Sequence, residues 1–158
     1  MRGSDFDEVA FFRALEHSGA RALLIGRRAL VLLGLPVLTA DYDFWLAIDD
    51  IARFNDATAL FGLHPTRTAE DARRTGRYAL ENDEHIDVLV ARAVSAGDAG
   101  PVEFDALWQR RRPVPIAPDV TVQMPTIADL ILTKRIAGRP KDLEDIRLLE
   151  ILQQEEEP

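Results

Sequence analysis

Several features are missing from this sequence of 158 residues, and each absence excludes a class of protein or site. There is no cysteine, so structural disulfides and cysteine-based zinc sites are excluded. No apolar run approaches the roughly 20 residues of a membrane-spanning helix. The amino terminus is acidic and lacks the apolar segment of a secretion signal, so we expect a cytoplasmic protein with no membrane partner.

Positive charge is also scarce, with 19 lysines and arginines against 27 acidic residues and a net charge of −8. This balance argues against a protein that coats nucleic acid, because neutralising phosphates requires a basic face. Two local basic clusters, at residues 73–77 and 110–112, still permit a local contact. The composition and length predict one globular domain over residues 1–152, followed by a disordered acidic tail at 153–158.

The most informative stretch consists of two apolar runs on either side of a short helical segment. The first run, Ala22–Ile25, stops at Gly26, and the second covers residues 42–48. This pattern predicts strand, helix, turn and strand. At the start of the second strand, Asp41 and Asp43 are two residues apart, so both carboxylates point to the same face of the sheet. Mg²⁺ or Mn²⁺ would relieve the repulsion between them and could act on a phosphate.

These residues resemble a known family. Gly26, a short helix and the segment TADYD at 39–43 are similar to the signature of the minimal nucleotidyltransferases of the DNA polymerase β-like superfamily, particularly the AbiEii toxin-like branch. In that family the turn after the first strand approaches a nucleoside triphosphate. The resemblance therefore implies nucleotide contacts from the turn and its surroundings, namely Gly26, Arg27, Arg28 and Thr39.

The sequence departs from the family pattern at Arg27, where a second glycine or a serine is usual. A guanidinium at a helix amino terminus is a suitable phosphate ligand, so Arg27 could bind the nucleotide. Alternatively, its bulk blocks the pocket and the chain is a non-catalytic relative.

A third acidic residue, Asp87, lies inside the apolar strand predicted for residues 85–91. A carboxylate in such a strand is costly to bury unless it is paired or bound to a metal. The resemblance implies that Asp87 joins Asp41 and Asp43 as the third metal-binding carboxylate of a catalytic Mg²⁺ or Mn²⁺ site. The alternative is that Asp87 faces solvent at a strand end.

A second block of similarity lies near the carboxyl terminus. Thr126 is the predicted cap of a helix whose apolar stripe is interrupted by Lys134, and Gly138 ends that helix. Residues 141–154 form the next predicted helix. The segment DLILTKRIAGRPKDLEDIRLLE closely resembles the helical pair of the same family, and the matching positions are Lys134, Arg139, Lys141, Asp142 and Asp145.

The resemblance implies a catalytic role for Lys134, whose ammonium would reach the triphosphate. The alternative is that Lys134 extends from the apolar face to water. Arg139, Asp142 and Asp145 are predicted to support the site, with Asp142 held in a salt bridge to Lys134 or Arg139.

The remaining patterns complete an α/β (α+β) fold with a mixed sheet of about four to six strands, flanking helices and a C-terminal helical pair. Residues 6–18 and 51–61 are predicted helices, and the first has Asp5 as its cap. Further along we predict a strand at 76–80, a helix at 103–111, extended segments at 114–124, a loop or a frayed helical turn at 64–74, and a loop at 94–101.

The resemblance implies an enzyme that moves a nucleoside monophosphate from a triphosphate to a hydroxyl of RNA or tRNA, a protein or a small molecule. In the toxin branch a partner antitoxin is also implied. One alternative is an impaired nucleotide-binding or interaction module in which Arg27 occupies the phosphate site. Another is a metal-dependent phosphohydrolase, although Gly26 before a helix suits a triphosphate and diester hydrolysis does not require that arrangement.

Overall fold

The computed structural model describes residues 6–156, which form seven α-helices and nine β-strands. The helices are α1 (Glu8–Ser18), α2 (Gly26–Leu32), α3 (Ile51–Ala59), α4 (Ala69–Thr75), α5 (Phe104–Gln109), α6 (Ile127–Ala137) and α7 (Pro140–Glu156). The strands are β1 (Ala22–Ile25), β2 (Tyr42–Leu46), β3 (His64–Pro65), β4 (Arg77–Glu81), β5 (His85–Leu89), β6 (Ala93–Ser95), β7 (Pro101–Glu103), β8 (Arg112–Ala117) and β9 (Val120–Met124).

The main sheet has five strands in the order β1-β2-β5-β4-β3. Strands β2 and β5 are parallel, and the other neighbouring pairs are antiparallel. Two small antiparallel pairs, β6–β7 and β8–β9, lie outside this sheet. The predicted mixed sheet with flanking helices and a C-terminal helical pair is confirmed.

One face of the main sheet carries the larger hydrophobic core. Phe44 on β2 and Val88 on β5 are buried there with Phe11 of α1 and Phe54 of α3. Side chains alternate along a strand, so the residues between these core positions point to the opposite face. Part of that face is covered by a second cluster, which includes Leu23, Trp45, Phe104 and Leu107. The uncovered remainder of that face is where Asp43 and Asp87 lie.

The first helix begins differently from the prediction. Asp7 is the cap of α1, and its Oδ1 accepts a hydrogen bond from the Ala10 N–H at 3.0 Å. Asp5, the predicted cap, lies outside the described residues. Gly19 ends the helix in a left-handed conformation, as expected.

Both predicted loops contain regular structure. Within residues 64–74, β3 pairs with β4, and α4 begins after Thr68, whose hydroxyl accepts from the Asp71 N–H. Thr68 followed by acidic residues is a capping signal that was present in the sequence. Pro65 is tolerated because β3 is an edge strand. Residues 94–101 contain parts of β6 and β7, which pair with each other. The sequence there shows no alternation of apolar and polar residues that would have indicated these strands.

The acidic tail is the third difference. Helix α7 continues to Glu156, whose carboxylate accepts two hydrogen bonds from Arg112 at 3.0 and 3.1 Å. The prediction of disorder from residue 153 is therefore wrong as far as Glu156, because a helix that is already propagating adds residues at little cost. Among residues 6–156, no helix combines the length and apolar character needed to cross a bilayer.

Candidate active site

Asp43 and Asp87 face each other across the two parallel strands of the sheet. The register pairs Asp43 of β2 with Asp87 of β5, and it continues outward to Ile25 on β1 and Ala79 on β4. Both carboxylates line a cleft of about 950 Å³ whose other wall is formed by α6 and α7. The sequence placed the two residues on separate strands, and the parallel pairing brings them together.

The Asp43 carboxyl is in an unfavourable place for a negative charge. Burial, followed by the charge of Asp87, raises the pKa of Asp43 to about 6, although Lys134 acts in the opposite direction. The start of α2 adds to the crowding, since Gly26 has φ +71° and packs directly against this side chain. A Cβ on Gly26 would collide with Asp43 Oδ2 and lie 3.0 Å from its Cβ and Cγ. A glycine is therefore required here by conformation and by space.

Asp87 is bound from one side by a histidine that the sequence did not single out. His85 Nε2 lies 2.9 Å from Asp87 Oδ1, and His85 Nδ1 lies 2.9 Å from Glu81 Oε2. Burial lowers the pKa of His85, but the hydrogen bonds to the two carboxylates outweigh it, and the net shift is upward. The signal was available, because residues two apart on a strand share a face.

Asp41 does not join the facing pair. It precedes β2 with an exposed side chain and is not among the residues that line the cleft, although its charge contributes to the raised pKa of Asp43. Among residues 6–156, no group of three or more histidine or acidic side chains is arranged to hold a metal ion. The structure therefore assembles two of the three predicted carboxylates.

The chemistry of this pair nevertheless suits Mg²⁺ or Mn²⁺. Mg²⁺ is commonly held by one or two carboxylates together with substrate phosphates and water. Asp43 and Asp87 supply two such carboxylates, and burial together with the charge of Asp87 disfavours the anionic form of Asp43 in the absence of a cation. The residues present thus fit a divalent cation.

Arg28 and Thr39 lie outside the lining of the cleft and organise the segment before β2. Arg28 Nη2 donates to the Thr39 carbonyl at 3.1 Å, and its guanidinium lies 4.2 Å from the centre of the Tyr42 ring. Thr39 Oγ1 in turn accepts from the Asp41 N–H at 3.1 Å. Their predicted contact with a nucleotide stays a prediction.

Lys134 is buried in the wall of the cleft instead of extending to water. Its side chain is 4% exposed, and its Nζ lies 2.9 Å from Asp145 Oδ2 and 3.4 Å from Asp142 Oδ1. Arg139 also binds Asp142, with its Nε 2.8 Å from Oδ2. Lys134, Arg139 and Asp142 all line the cleft, so this wall presents positive groups toward Asp43.

Arg27, at the start of α2, also belongs to the ion-pair network of Lys134, Arg139, Asp142 and Asp145. Its Nε and Nη2 donate to the two carboxylate oxygens of Asp145 at 3.1 and 3.2 Å, and Nη1 donates to the Leu38 carbonyl. Burial opposes ionisation of Asp145, but Arg27 and Lys134 more than offset it, and the pKa of Asp145 is lowered. Arg27 is not among the residues that line the cleft.

No family model and no curated protein matches the sequence. Solved structures do match. The lincosamide antibiotic adenylyltransferase LnuA, bound to lincomycin, superposes with a TM-score of 0.61 and 16% identity over 91% of this chain and 96% of its own. The antibiotic-resistance factor ANT(2″)-Ia gives 0.60 and 15% over 89% and 78%. The chain has a nucleotidyltransferase fold.

A third solved structure also matches this chain. A predicted nucleotidyltransferase from Thermotoga maritima gives a TM-score of 0.56 at 14% identity, over 91% of this chain and 89% of that one. At such low identity the likeness establishes a shared fold, and activity has to be argued from the residues themselves.

Proposed function

We propose that the protein is a nucleotidyltransferase that moves a nucleoside monophosphate from a nucleoside triphosphate to a hydroxyl acceptor. The observation that carries the proposal is the facing pair of Asp43 and Asp87 in a cleft whose other wall holds Lys134 and Arg139. Two carboxylates opposite two cationic side chains suit a substrate with a triphosphate. The shared fold with LnuA and ANT(2″)-Ia supports this proposal.

In the reaction, the acceptor oxygen forms a bond to the α-phosphorus while the bond from that phosphorus to pyrophosphate breaks. Asp87, the more exposed of the pair, orients the acceptor hydroxyl and takes its proton. His85 holds the other side of the Asp87 carboxylate and fixes its direction. Arg139 binds the departing phosphates, Lys134 adds positive charge from within the wall of the cleft, and Gly26 lets α2 begin directly beside Asp43.

Mg²⁺ or Mn²⁺ belongs to the proposal as the cofactor. Asp43 and Asp87 would hold it, and when bound it supplies Lewis-acid polarisation of the phosphates. Asp41 precedes β2 outside the cleft lining, and its negative charge acts on Asp43.

The size of the cleft favours a small acceptor. A volume of about 950 Å³ lies in the range of small-molecule pockets, and the triphosphate must share it. One structural neighbour is a lincosamide adenylyltransferase bound to lincomycin, and another is ANT(2″)-Ia in complex with adenylyl-2″-tobramycin. The toxin role, an RNA or protein acceptor and an antitoxin partner stay predictions that no contact in the described residues favours.

The experiment measures transfer from each α-labelled nucleoside triphosphate, with Mg²⁺ or Mn²⁺, into a panel of hydroxyl compounds, cellular RNA and protein. Asp43→Asn and Asp87→Asn are compared with the native chain, and Asp98→Asn, at an exposed aspartate outside the cleft lining, is the matched control. We expect transfer by the native chain and the control, with a loss of about 100-fold or more in the two site variants.

Three other outcomes would replace the proposal. Release of free monophosphate or phosphate without a labelled acceptor would identify a phosphohydrolase. No transfer by the native chain, together with nucleotide binding, would identify a binding module. Equal activity in all three variants would remove the facing pair from the reaction.

A further inference from the structure

The cleft has two ends, and Asp87 separates them. On one side lie Asp43, Lys134 and Arg139, the groups suited to the triphosphate. On the other side the register places Ala79 directly opposite Asp87. A second substrate that reaches Asp87 without displacing the triphosphate must approach from the side of Ala79.

The floor of this second end is formed by β4 and the segment before it. Ala79 has a small side chain, and its N–H donates to Thr66 Oγ1 at 3.0 Å while its carbonyl accepts from the Thr66 N–H at 2.8 Å. Both residues line the cleft. The row from Asp43 through Asp87 and Ala79 to Thr66 therefore forms one continuous strip of the cleft lining.

Two arginines border the Ala79 and Thr66 end of this strip. Arg77 lies two residues from Ala79 on the same face of β4, and Arg67 follows Thr66 by one residue. Arg67 Nη1 donates to Thr75 Oγ1 at 2.8 Å and to the Arg77 carbonyl at 2.7 Å, which fixes the guanidinium beside β4. Within residues 6–156 the Arg77 side chain has no ion pair or hydrogen bond, and both arginines are exposed in the cleft lining.

The charges at this end favour an anion. The acidic residues that line the cleft are Asp43, Asp87 and Asp142, and none of them comes from β4 or from the segment before it. A cationic acceptor would therefore meet two arginines with no carboxylate to balance it there. A phosphate suits them, because its oxygens match the planar donors of a guanidinium.

The surroundings of the two arginines favour one phosphate over a chain of phosphates. The three acidic side chains of residues 81–84 lie at the end of β4 and in its connection to β5, and α4 carries Glu70 and Asp71 in its first turn. The last turn of α4 has two arginines, of which Arg74 pairs with Asp71. The net charge is −8. A nucleic-acid backbone extending from the cleft toward these acidic residues would be repelled.

Resting on the proposed transferase function, we propose that the acceptor is a small hydroxyl compound that carries a phosphate monoester. Its phosphate binds Arg77 and Arg67, and its free hydroxyl lies at Asp87. The phosphate thus selects the acceptor and positions the attacking oxygen.

The test uses matched pairs of acceptors that differ only in the phosphate: ribose and ribose 5-phosphate, glycerol and glycerol 3-phosphate, adenosine and adenosine 5′-monophosphate. We expect kcat/KM to be at least about tenfold higher for the phosphorylated member of the preferred pair. Arg77→Gln should abolish that preference through KM. Arg73→Gln, an exposed arginine on α4 outside the cleft lining, should keep it.

A binding measurement separates failure of this inference from failure of the proposed function. Without nucleotide, the same compounds are titrated while the side-chain Nε–H signals of the arginines are followed by NMR. We expect saturable shifts at Arg77 and Arg67 with the phosphorylated compounds, and at least about tenfold weaker binding in Arg77→Gln.

Shifts without any nucleotide transfer would overturn the transferase and leave the phosphate site standing. Equal transfer to the two members of every pair would overturn the phosphate-bearing acceptor but leave the transferase proposal standing. Transfer mainly to RNA would have the same meaning. The same conclusion follows if Arg77→Gln binds as the native chain does.

Discussion

The guanidinium of Arg27 donates two hydrogen bonds, of 3.1 and 3.2 Å, to the carboxylate of Asp145, 118 residues later in the chain. This contact ties the start of α2 to α7. It also explains the departure from the glycine or serine that the resembling family carries at this position. The Arg27 side chain pairs with the fully buried carboxylate of Asp145. Without Arg27, Lys134 would be the one remaining cation in contact with that carboxylate among the described residues.

Replacing Arg27 by alanine should lower the free energy of unfolding by about 2 kcal/mol, because a charged hydrogen-bond pair to a buried acceptor is lost. Chemical denaturation measures the change. Arg73→Ala, at an exposed position on α4, should stay within about 0.5 kcal/mol of the native chain. Higher transferase activity in Arg27→Gly would contradict this account and show that Arg27 closes the nucleotide site.

Lys134→Met should cost about 3 kcal/mol of stability, since it keeps much of the side-chain volume but removes the shared partner of two buried carboxylates. Lys141→Met is the matched control, because Lys141 is exposed at the start of α7. Thermal and denaturant unfolding of both variants test the difference. Equal stability of the two would mean that Arg27 and Arg139 suffice to balance Asp145 and Asp142.

Comparing Gly26→Ala with Gly19→Ala separates the cost of a left-handed backbone from the cost of a steric collision. Both glycines have φ between 71° and 74°, so each alanine variant pays about 1 kcal/mol for the left-handed backbone. Only at Gly26 does the new Cβ collide with another group, the Asp43 carboxylate, whereas nothing lies within 4 Å at Gly19. We expect Gly26→Ala to be the less stable variant by at least about 1 kcal/mol and to lose transferase activity. Activity equal to that of Gly19→Ala would show that Asp43 can move aside without consequence.

The raised pKa of Asp43 predicts a dependence of stability on pH. Its carboxyl has a pKa of about 6 in the folded protein against an unfolded value of 3.8, so the folded state binds the extra proton between these values. Stability from this group is therefore lost as pH rises through that window. Without divalent ions, Asp43→Asn should gain stability over the native chain as pH rises from about 4 to about 7.

Added Mg²⁺ provides the counterpart of that measurement. If Asp43 and Asp87 hold the ion, Mg²⁺ should stabilise the native chain near neutral pH and have little effect on Asp43→Asn. An identical response of the two proteins would place the ion elsewhere.

Much of the site follows from local sequence pattern. The strand, glycine turn and helix at residues 22–32 are encoded by an apolar run, a residue that tolerates positive φ and a helical segment, all within one short stretch. The alternation of side chains along a strand likewise placed Asp43 and Asp87 on defined faces. Interactions that depend on neighbours in sequence can be predicted this way, as the Thr126 cap of α6 shows.

Contacts between distant segments could not be predicted in the same way. The loss of regular patterning at residues 64–74 and 94–101 concealed β3 and the β6–β7 pair, which are stabilised by pairing between strands. The separation of Asp41 from the facing pair, and the contact of His85 on β5 with Glu81 on β4, also required the folded sheet.

The types of most elements and the faces on which the carboxylates lie follow from local sequence periodicity, because periodicity is a local property of the chain. Which carboxylates meet, and which cations are already engaged, depends on how distant segments pack together. The parallel register of β2 and β5 sets Asp43 against Asp87, and the packing of α6 on α7 buries Lys134 between Asp142 and Asp145. The energy of each charge depends on its burial and on the charges beside it, and both are properties of the packed fold.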